Sequence, residues 1–246
     1  MVRGPVSSTQ EHLQFYHPLH QQLPPLHLRI WQDGVYRKIL IAPFCLNPES
    51  LLHVVAGCQQ YLDRFTWRHD SILNFIAKSL QPVINVHSSL YADVNGFLNN
   101  NSIIIGENYR PDLLFLIQSK CLYVLELTGG FESNLNNNAV RKKEKYLNLI
   151  NELSRNYRCV RFVNLSMSSL CVFSDECSTF LDMMNDTGID KKQQRYIVKK
   201  MINIAIRATY YIFCCRNRNW DNPDLMQFWF FLAFVFVFVC LFVCFF

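Results

Sequence analysis

Apolar positions along this chain recur with two periods, and their order sketches a fold. Leu113–Ile117 and Leu122–Leu127 are short, strand-like apolar runs. Only Gln118-Ser119-Lys120 separates them, a connection short enough for a hairpin. Cys159–Leu165 alternates like a partly buried strand, and Leu90–Val94 reads as a short strand stopping at the turn signal Asn95-Gly96. Elsewhere the spacing is helical. His69, Leu73, Ile76 and Leu80 share a face between Trp67 and Leu80, with Thr66 or Asp70 as candidate caps. Val140, Leu147, Ile150 and Leu153 do the same in Val140–Arg155. Ser174–Gly188 reads as a short acidic helix. Asp190–Phe213 reads as a longer one, with Ile197, Met201, Ile204, Ala205 and Ala208 inward and Lys192, Arg195, Lys199, Lys200 and Arg207 outward. Strand, hairpin, helix and strand in this order predict an α/β fold, a four-stranded mixed sheet flanked by helices.

The flanks differ from this body, and four segments result. Residues 1–38 are rich in Gln, His and Pro, and Pro18, Pro24 and Pro25 break any helix that could align their four histidines, so a loosely ordered arm is expected. Residues 39–60 hold a cluster of Cys and His, and residues 61–223 the α/β domain, closed by the breaker Asn219–Asp224. In the last segment, 226–246, Phe228–Phe246 carries no charge, and at about 1.5 Å per residue a helix of that length just spans a hydrocarbon core of about 30 Å. It reads as a transmembrane anchor or as the translation of T-rich flanking DNA, and both readings are compatible with a membrane.

Composition adds little specificity. A net charge of +5 and a pI near 8.7 permit nucleic acid as a partner without demanding it, since basic faces also serve solubility. Ten cysteines without a secretory signal in the polar stretch Met1–Gln10 point to free thiols or a metal site in a reducing compartment. The chain is expected at a membrane if its tail is genuine, and otherwise in the nucleus or cytoplasm.

The chemistry concentrates around the hairpin. Asp112 stands at the mouth of the first run and Glu126 inside the second, among Val124, Leu125 and Leu127. A carboxylate on a buried strand is costly unless paired, protonated or metal-bound. A hairpin brings its two acids together at one end, and the basic start of the next helix, Arg141–Lys145, follows closely. Two acids and a nearby lysine suffice to hold a hydrated divalent metal against a phosphodiester. Asp93 is either a third acid for this site or a solvated carboxylate beside a turn, and the second reading is preferred.

The order P-D, a gap, then E-x-T resembles the PD-(D/E)-x-K nuclease core. Around it stand F-T-W-R-H-D-S-I-L-N (65–74), Y-A-D-V-N-G-F (91–97), L-E-L-T-G-G-F-E-S-N-L (125–135) and A-I-R-A-T-Y-Y-I-F (205–213). Together these blocks resemble the restriction-endonuclease-like region of non-LTR retrotransposon reverse transcriptases, of the cnidarian kind, over roughly residues 12–225. No polymerase signature accompanies them, so a detached C-terminal fragment is implied. The resemblance implies a DNA endonuclease, if active, with Asp112 and Glu126 as Mg²⁺ (or Mn²⁺) ligands and no small-molecule substrate. Thr128 stands where the core often has lysine, and resembling nucleases supply that lysine from the following helix, which makes Lys142 and Lys145 the catalytic candidates. Arg68, His69 and Arg110 are the candidate DNA contacts, with a half-buried residue on an apolar face as the alternative for His69.

The same family carries a C-x-x-C…H…C zinc knuckle where this chain has Cys45, His53 and Cys58, with Ala42 in the place of the first cysteine. A degenerate knuckle is implied and tight zinc binding is not expected, because structural zinc takes four ligands. Two rival functions stand beside the nuclease: a catalytically dead nucleic-acid-binding remnant and a tail-anchored membrane protein.

Overall fold

The computed structural model describes residues 27–32, 35–42, 44–45, 47–98, 109–117 and 121–223. Strands β1 (His27–Gln32) and β2 (Val35–Leu40) pair antiparallel, His27 opposite Leu40 and Gln32 opposite Val35, across the end of the stretch 1–38 expected to be a loose arm. The rest of that arm and the apolar segment 226–246, with its expected helix, lie outside the described residues. Among the described residues, no helix is long and apolar enough to cross a membrane.

The body is the expected α/β arrangement. Strands β3 (Ser89–Ala92), β4 (Leu113–Ile117), β5 (Cys121–Gly130) and β6 (Cys159–Ser168) form a mixed sheet in the order β3-β4-β5-β6. The first two pairings are antiparallel and β5–β6 is parallel. Helix α2 (Leu135–Leu153) makes the crossover between β5 and β6. Helices α1 (Leu62–Leu80), α3 (Ser178–Asp186) and α4 (Lys191–Cys214) complete the fold.

Both faces of the sheet are covered, which explains the nearly continuous apolar runs. On one face Leu114, Leu122 and Val124 pack against Tyr146, Leu149 and Leu153 of α2. On the other, Leu113, Phe115, Leu125, Val163 and Leu165 form a larger core with Ile72, Leu73, Phe180, Met183, Ile197 and Met201. Burying a Leu or Phe side chain fully stabilises by about 1.5–3 kcal/mol, and the buried residues of β4 and β5 alone supply several.

The starts of α1 and α2 differ from the sequence expectation, and α3 is shorter than the expected Ser174–Gly188. Helix α1 begins at Leu62, so Thr66 and Asp70 lie inside it and cap nothing. Helix α2 begins at Leu135, and its buried stripe is Leu135, Ala139, Tyr146, Leu149 and Leu153, while Val140 and Leu147 are exposed. The phase slips by one residue because Tyr146 takes the inward position. Its hydroxyl is accommodated there by donating to the Arg110 carbonyl at 3.0 Å.

Candidate functional site

Strand register decides where the two acids fall. Leu113 pairs with Leu125, so one further step places Asp112 opposite Glu126. Successive residues of a strand alternate faces, which puts Glu126 on the α2 side together with Val124 and Thr128. The parallel pairing of β5 with β6 continues this side as a polar floor, Glu126 beside Asn164 and Thr128 beside Ser166. Asn164 donates from Nδ2 to the Ala139 carbonyl at 2.8 Å and accepts from Ser166 Oγ at 2.7 Å.

Glu126 is only 2% exposed. One of its oxygens is ion-paired with Lys142 Nζ, and the other, Oε2, is buried with no hydrogen-bond partner. Burial pushes its carboxyl pKa up, the neighbouring Asp112 charge pushes it further, and Lys142 offsets them only in part. Asp112 Oδ2 accepts from the Leu127 amide at 2.7 Å and lies 3.3 Å from His69 Nε2. His69 is oriented on its other side by Asp70, with Nδ1 2.9 Å from Oδ1. Burial alone would lower the His69 pKa, but hydrogen bonds and charge from Asp112 and Asp70 overcome it and raise it to about 10. Each carboxylate of the pair therefore faces a cation, Lys142 for Glu126 and a protonated His69 for Asp112.

Of the two candidate lysines the structure brings one to the acids. Lys142 reaches Glu126, whereas the exposed Lys145 lies over the Tyr146 ring, 4.9 Å from its centroid. Arg110 is exposed and pairs with Asp93 at 2.6 Å, which gives Asp93 a surface partner in place of a ligand's role. Arg68 is inside the protein, 6% exposed, with Nη1 donating to the Val55 carbonyl and to Thr209 Oγ1, both at 2.9 Å.

The donor set of Asp112 and Glu126 fits a hard divalent cation. Mg²⁺ commonly takes one or two carboxylates and completes its shell with water and phosphate oxygens. An orphaned Oε2 beside the polar side chains of Asn164 and Ser166 is the kind of atom such an ion would satisfy. Three further polar groups on and beside the sheet are inconspicuous in the sequence. Asn164 and Ser166 are visible as polar breaks in a buried strand once the register is known. Glu132 accepts from Ser168 Oγ and keeps a buried, partnerless Oε2.

The second cluster is assembled as well. Cys45, His53 and Cys58 place one ligand atom each within 4.8 Å of the others, and Cys45 Sγ lies 2.9 Å from His53 Nε2. A single π-helical turn, His53–Gly57, sets the pair, closed by the Cys58 amide on the His53 carbonyl at 2.8 Å. Burial raises the Cys58 thiol pKa, as does Cys45 beside it. Ala42, fully buried, offers no donor. No protein-family model matches the chain, and neither does any curated protein.

Proposed function

We propose that this chain is a retroelement-derived, restriction-endonuclease-like domain that hydrolyses phosphodiester bonds of DNA with Mg²⁺ or Mn²⁺. The observation that carries this reading is the convergence of Asp112, Glu126 and Lys142 at one sheet end, with Glu126 Oε2 left unpartnered. A divalent cation held by the two carboxylates supplies Lewis-acid polarisation of the phosphate and an acidified water. Asp112 is kept in place by the Leu127 amide, so its second oxygen is free to ligate. Lys142, beside Glu126, would place its ammonium where charge develops on the phosphate oxygens. Tyr146, held through the Arg110 carbonyl, fixes the wall against which Glu126 packs.

A second reading, a nucleic-acid-binding remnant without hydrolysis, is favoured by Thr128 at the usual lysine position and by Lys142 closing on Glu126. Nicking of supercoiled plasmid by the full chain with Mg²⁺ or Mn²⁺ separates them. Nicking that disappears in Glu126→Gln supports the enzyme, and its absence with every metal leaves the remnant. The uncharged stretch 228–246 separately supports attachment to a membrane, which partition of the full chain with membranes tests.

A further inference from the structure

Cys121 and Cys159 are the first residues of β5 and β6, and the parallel register sets them side by side. Among the described residues they are the one cysteine pair that strand register brings together. The remaining thiols of the sheet region are otherwise engaged. Cys171 and Cys177 each donate to a backbone carbonyl, those of Ile202 and Ser166. Cys45 and Cys58 belong to the His53 cluster.

Neighbouring strands lie about 4.8 Å apart, and registered partners in a parallel pair project their side chains to the same face. A disulfide asks for α-carbons about 4.4–6.8 Å apart, so the backbone already meets that requirement. The shared face is the one that carries Tyr123 and Leu125, where Cys121 packs with Ile117 against the main core. Both thiols are free and only half-buried, which leaves them in part open to a small reagent. Burial pushes the Cys121 thiol pKa up, and the adjoining Cys159 pushes it further. The exposed Arg161, paired with Asp186 at 2.5 Å, lies against the Cys159 sulfur. Positive charge beside a sulfur favours attack by its thiolate. A single half-buried cysteine behaves as a small apolar residue, whereas two in register form a dithiol.

We infer that Cys121 and Cys159 are a reversible redox site, a dithiol that closes to a disulfide between β5 and β6 on meeting a small-molecule disulfide of the glutathione type. The Cys159 thiolate attacks one sulfur of the reagent and expels a thiolate, which leaves a mixed disulfide on Cys159. The Cys121 thiolate then attacks the Cys159 sulfur and expels the second half of the reagent. Two protein thiols are oxidised to one disulfide, the reagent is reduced to two thiols, and the two protons pass from the protein to those thiols. In a reducing compartment such a bond is transient, which suits a site that opens and closes. The bond spans the α2 crossover, so the loop it closes holds Glu126, all of α2 and Lys142. Glu126 lies about 17 Å further along β5, so closure leaves the carboxylates untouched and the inference is independent of the nuclease reading.

The reduced full chain is treated with oxidised glutathione, blocked with iodoacetamide and digested with trypsin. Cleavage after Lys120, Arg141, Arg158 and Arg161 leaves the two cysteines on separate peptides, 121–141 and 159–161, for mass spectrometry. The expected product of the native chain is these two peptides joined, with the joining lost on reduction by dithiothreitol. In Cys121→Ser the joined product should disappear and glutathione should stay on Cys159, because no second thiol displaces it. Joining that is equally efficient in urea, where strand register is gone, overturns the inference. So do native Cys121 and Cys159 that both remain open to iodoacetamide while the reagent oxidises other thiols, or that each carry glutathione without joining. These outcomes need only the wild type, so the inference stays falsifiable if Cys121→Ser fails to fold.

Discussion

The Asp112–Glu126–Lys142 cluster draws its groups from the approach to β4, from β5 and from α2, whereas Cys45, His53 and Cys58 come from one short stretch of chain. The first is held by the sheet: strand register puts the acids opposite each other, and Leu127, Tyr146 and Asn164 fix their surroundings. The second is held by one helical turn and the small apolar cluster of Val54, Val55, Cys58 and Tyr61. Their donors differ in the same sense. Carboxylate oxygens suit Mg²⁺ or Mn²⁺, and thiolate with imidazole suits zinc. The core sets the carboxylate geometry, and a local turn sets that of the thiol cluster.

The largest expected effects lie at the carboxylates. Asp112→Asn or Glu126→Gln should lower metal-dependent nicking by at least about 10²–10³-fold, the scale of removing an electrostatic element from a transition state. Lys142→Met should cost about 10²-fold and Lys145→Met almost nothing, because only Lys142 reaches Glu126. Plasmid nicking by the four variants checks this. Equal losses at the two lysines would contradict the assignment of Lys142.

The thiol cluster should behave as an incomplete site. A four-ligand structural zinc is worth about 10–16 kcal/mol, so one ligand in four is worth roughly 3 kcal/mol, about a hundredfold in affinity. The wild-type chain is expected to release zinc to a moderate chelator, and Ala42→Cys to hold it about a hundredfold more tightly. Competition with a zinc indicator measures both. Retention of one equivalent by the wild type, lost in Cys45→Ser, would show that three ligands suffice.

How far these sites can be read from sequence follows from how they are built. The closeness of Asp112 and Glu126 is legible because a carboxylate in an apolar run is conspicuous and a short connection forces a hairpin. Lys142 could be narrowed only to a pair, since Lys142 and Lys145 lie a turn apart and only the phase of α2 chooses between them. The sequence misleads on that phase because Val140 and Leu147 look like core residues, while Tyr146, with its polar hydroxyl, holds the inward place. The β1–β2 pairing departs from the expected loose arm although Asp33-Gly34 between two strand-like runs is a strong hairpin signal, because the Pro and His around it point to a disordered stretch. Arg68 reads as a surface contact in any sequence window. Only its hydrogen bonds to Val55 and Thr209, the latter far along the chain, show it to be inside.

A smaller effect tests whether a cation is missing from the carboxylate site. The folded Glu126 pKa is raised above its unfolded value by burial and by Asp112. Such a group contributes stability below the unfolded value of about 4.3, and that contribution is lost as pH rises through the folded value. Without metal, Glu126→Gln should therefore gain on the wild type by a few degrees of Tm as pH rises from 4 to 7. With Mg²⁺ the order should reverse, because a bound cation favours the ionised carboxylate. Thermal melts over this range, with and without metal, give the answer. A difference that does not change with metal would mean that Glu126 serves only its ion pair with Lys142.

The smallest effect belongs to His69, and it bears on the same contrast between a site neutralised by the protein and one waiting for metal. Burial opposes protonation of its ring, but Asp112 and Asp70 hold the proton until pH reaches about 10. A histidine with a raised folded pKa contributes stability that is fully present below its unfolded value of about 6.5. That contribution fades as pH rises from there to about 10. The His69 side chain is partly open to solvent, which screens the interaction and keeps the effect small. The ring resonances should titrate near pH 10 in the metal-free chain, and at lower pH in Asp112→Asn, where the partner's charge is gone. Added Mg²⁺ should move the midpoint in the same direction, because a cation on Asp112 competes with the imidazolium for the same oxygen. The difference in Tm between the wild type and His69→Asn should be largest near pH 6 and smallest near pH 10. Titration near 6.5 with no response to Asp112→Asn would break the link between His69 and the carboxylate site. His69 would then be only a half-buried residue of α1.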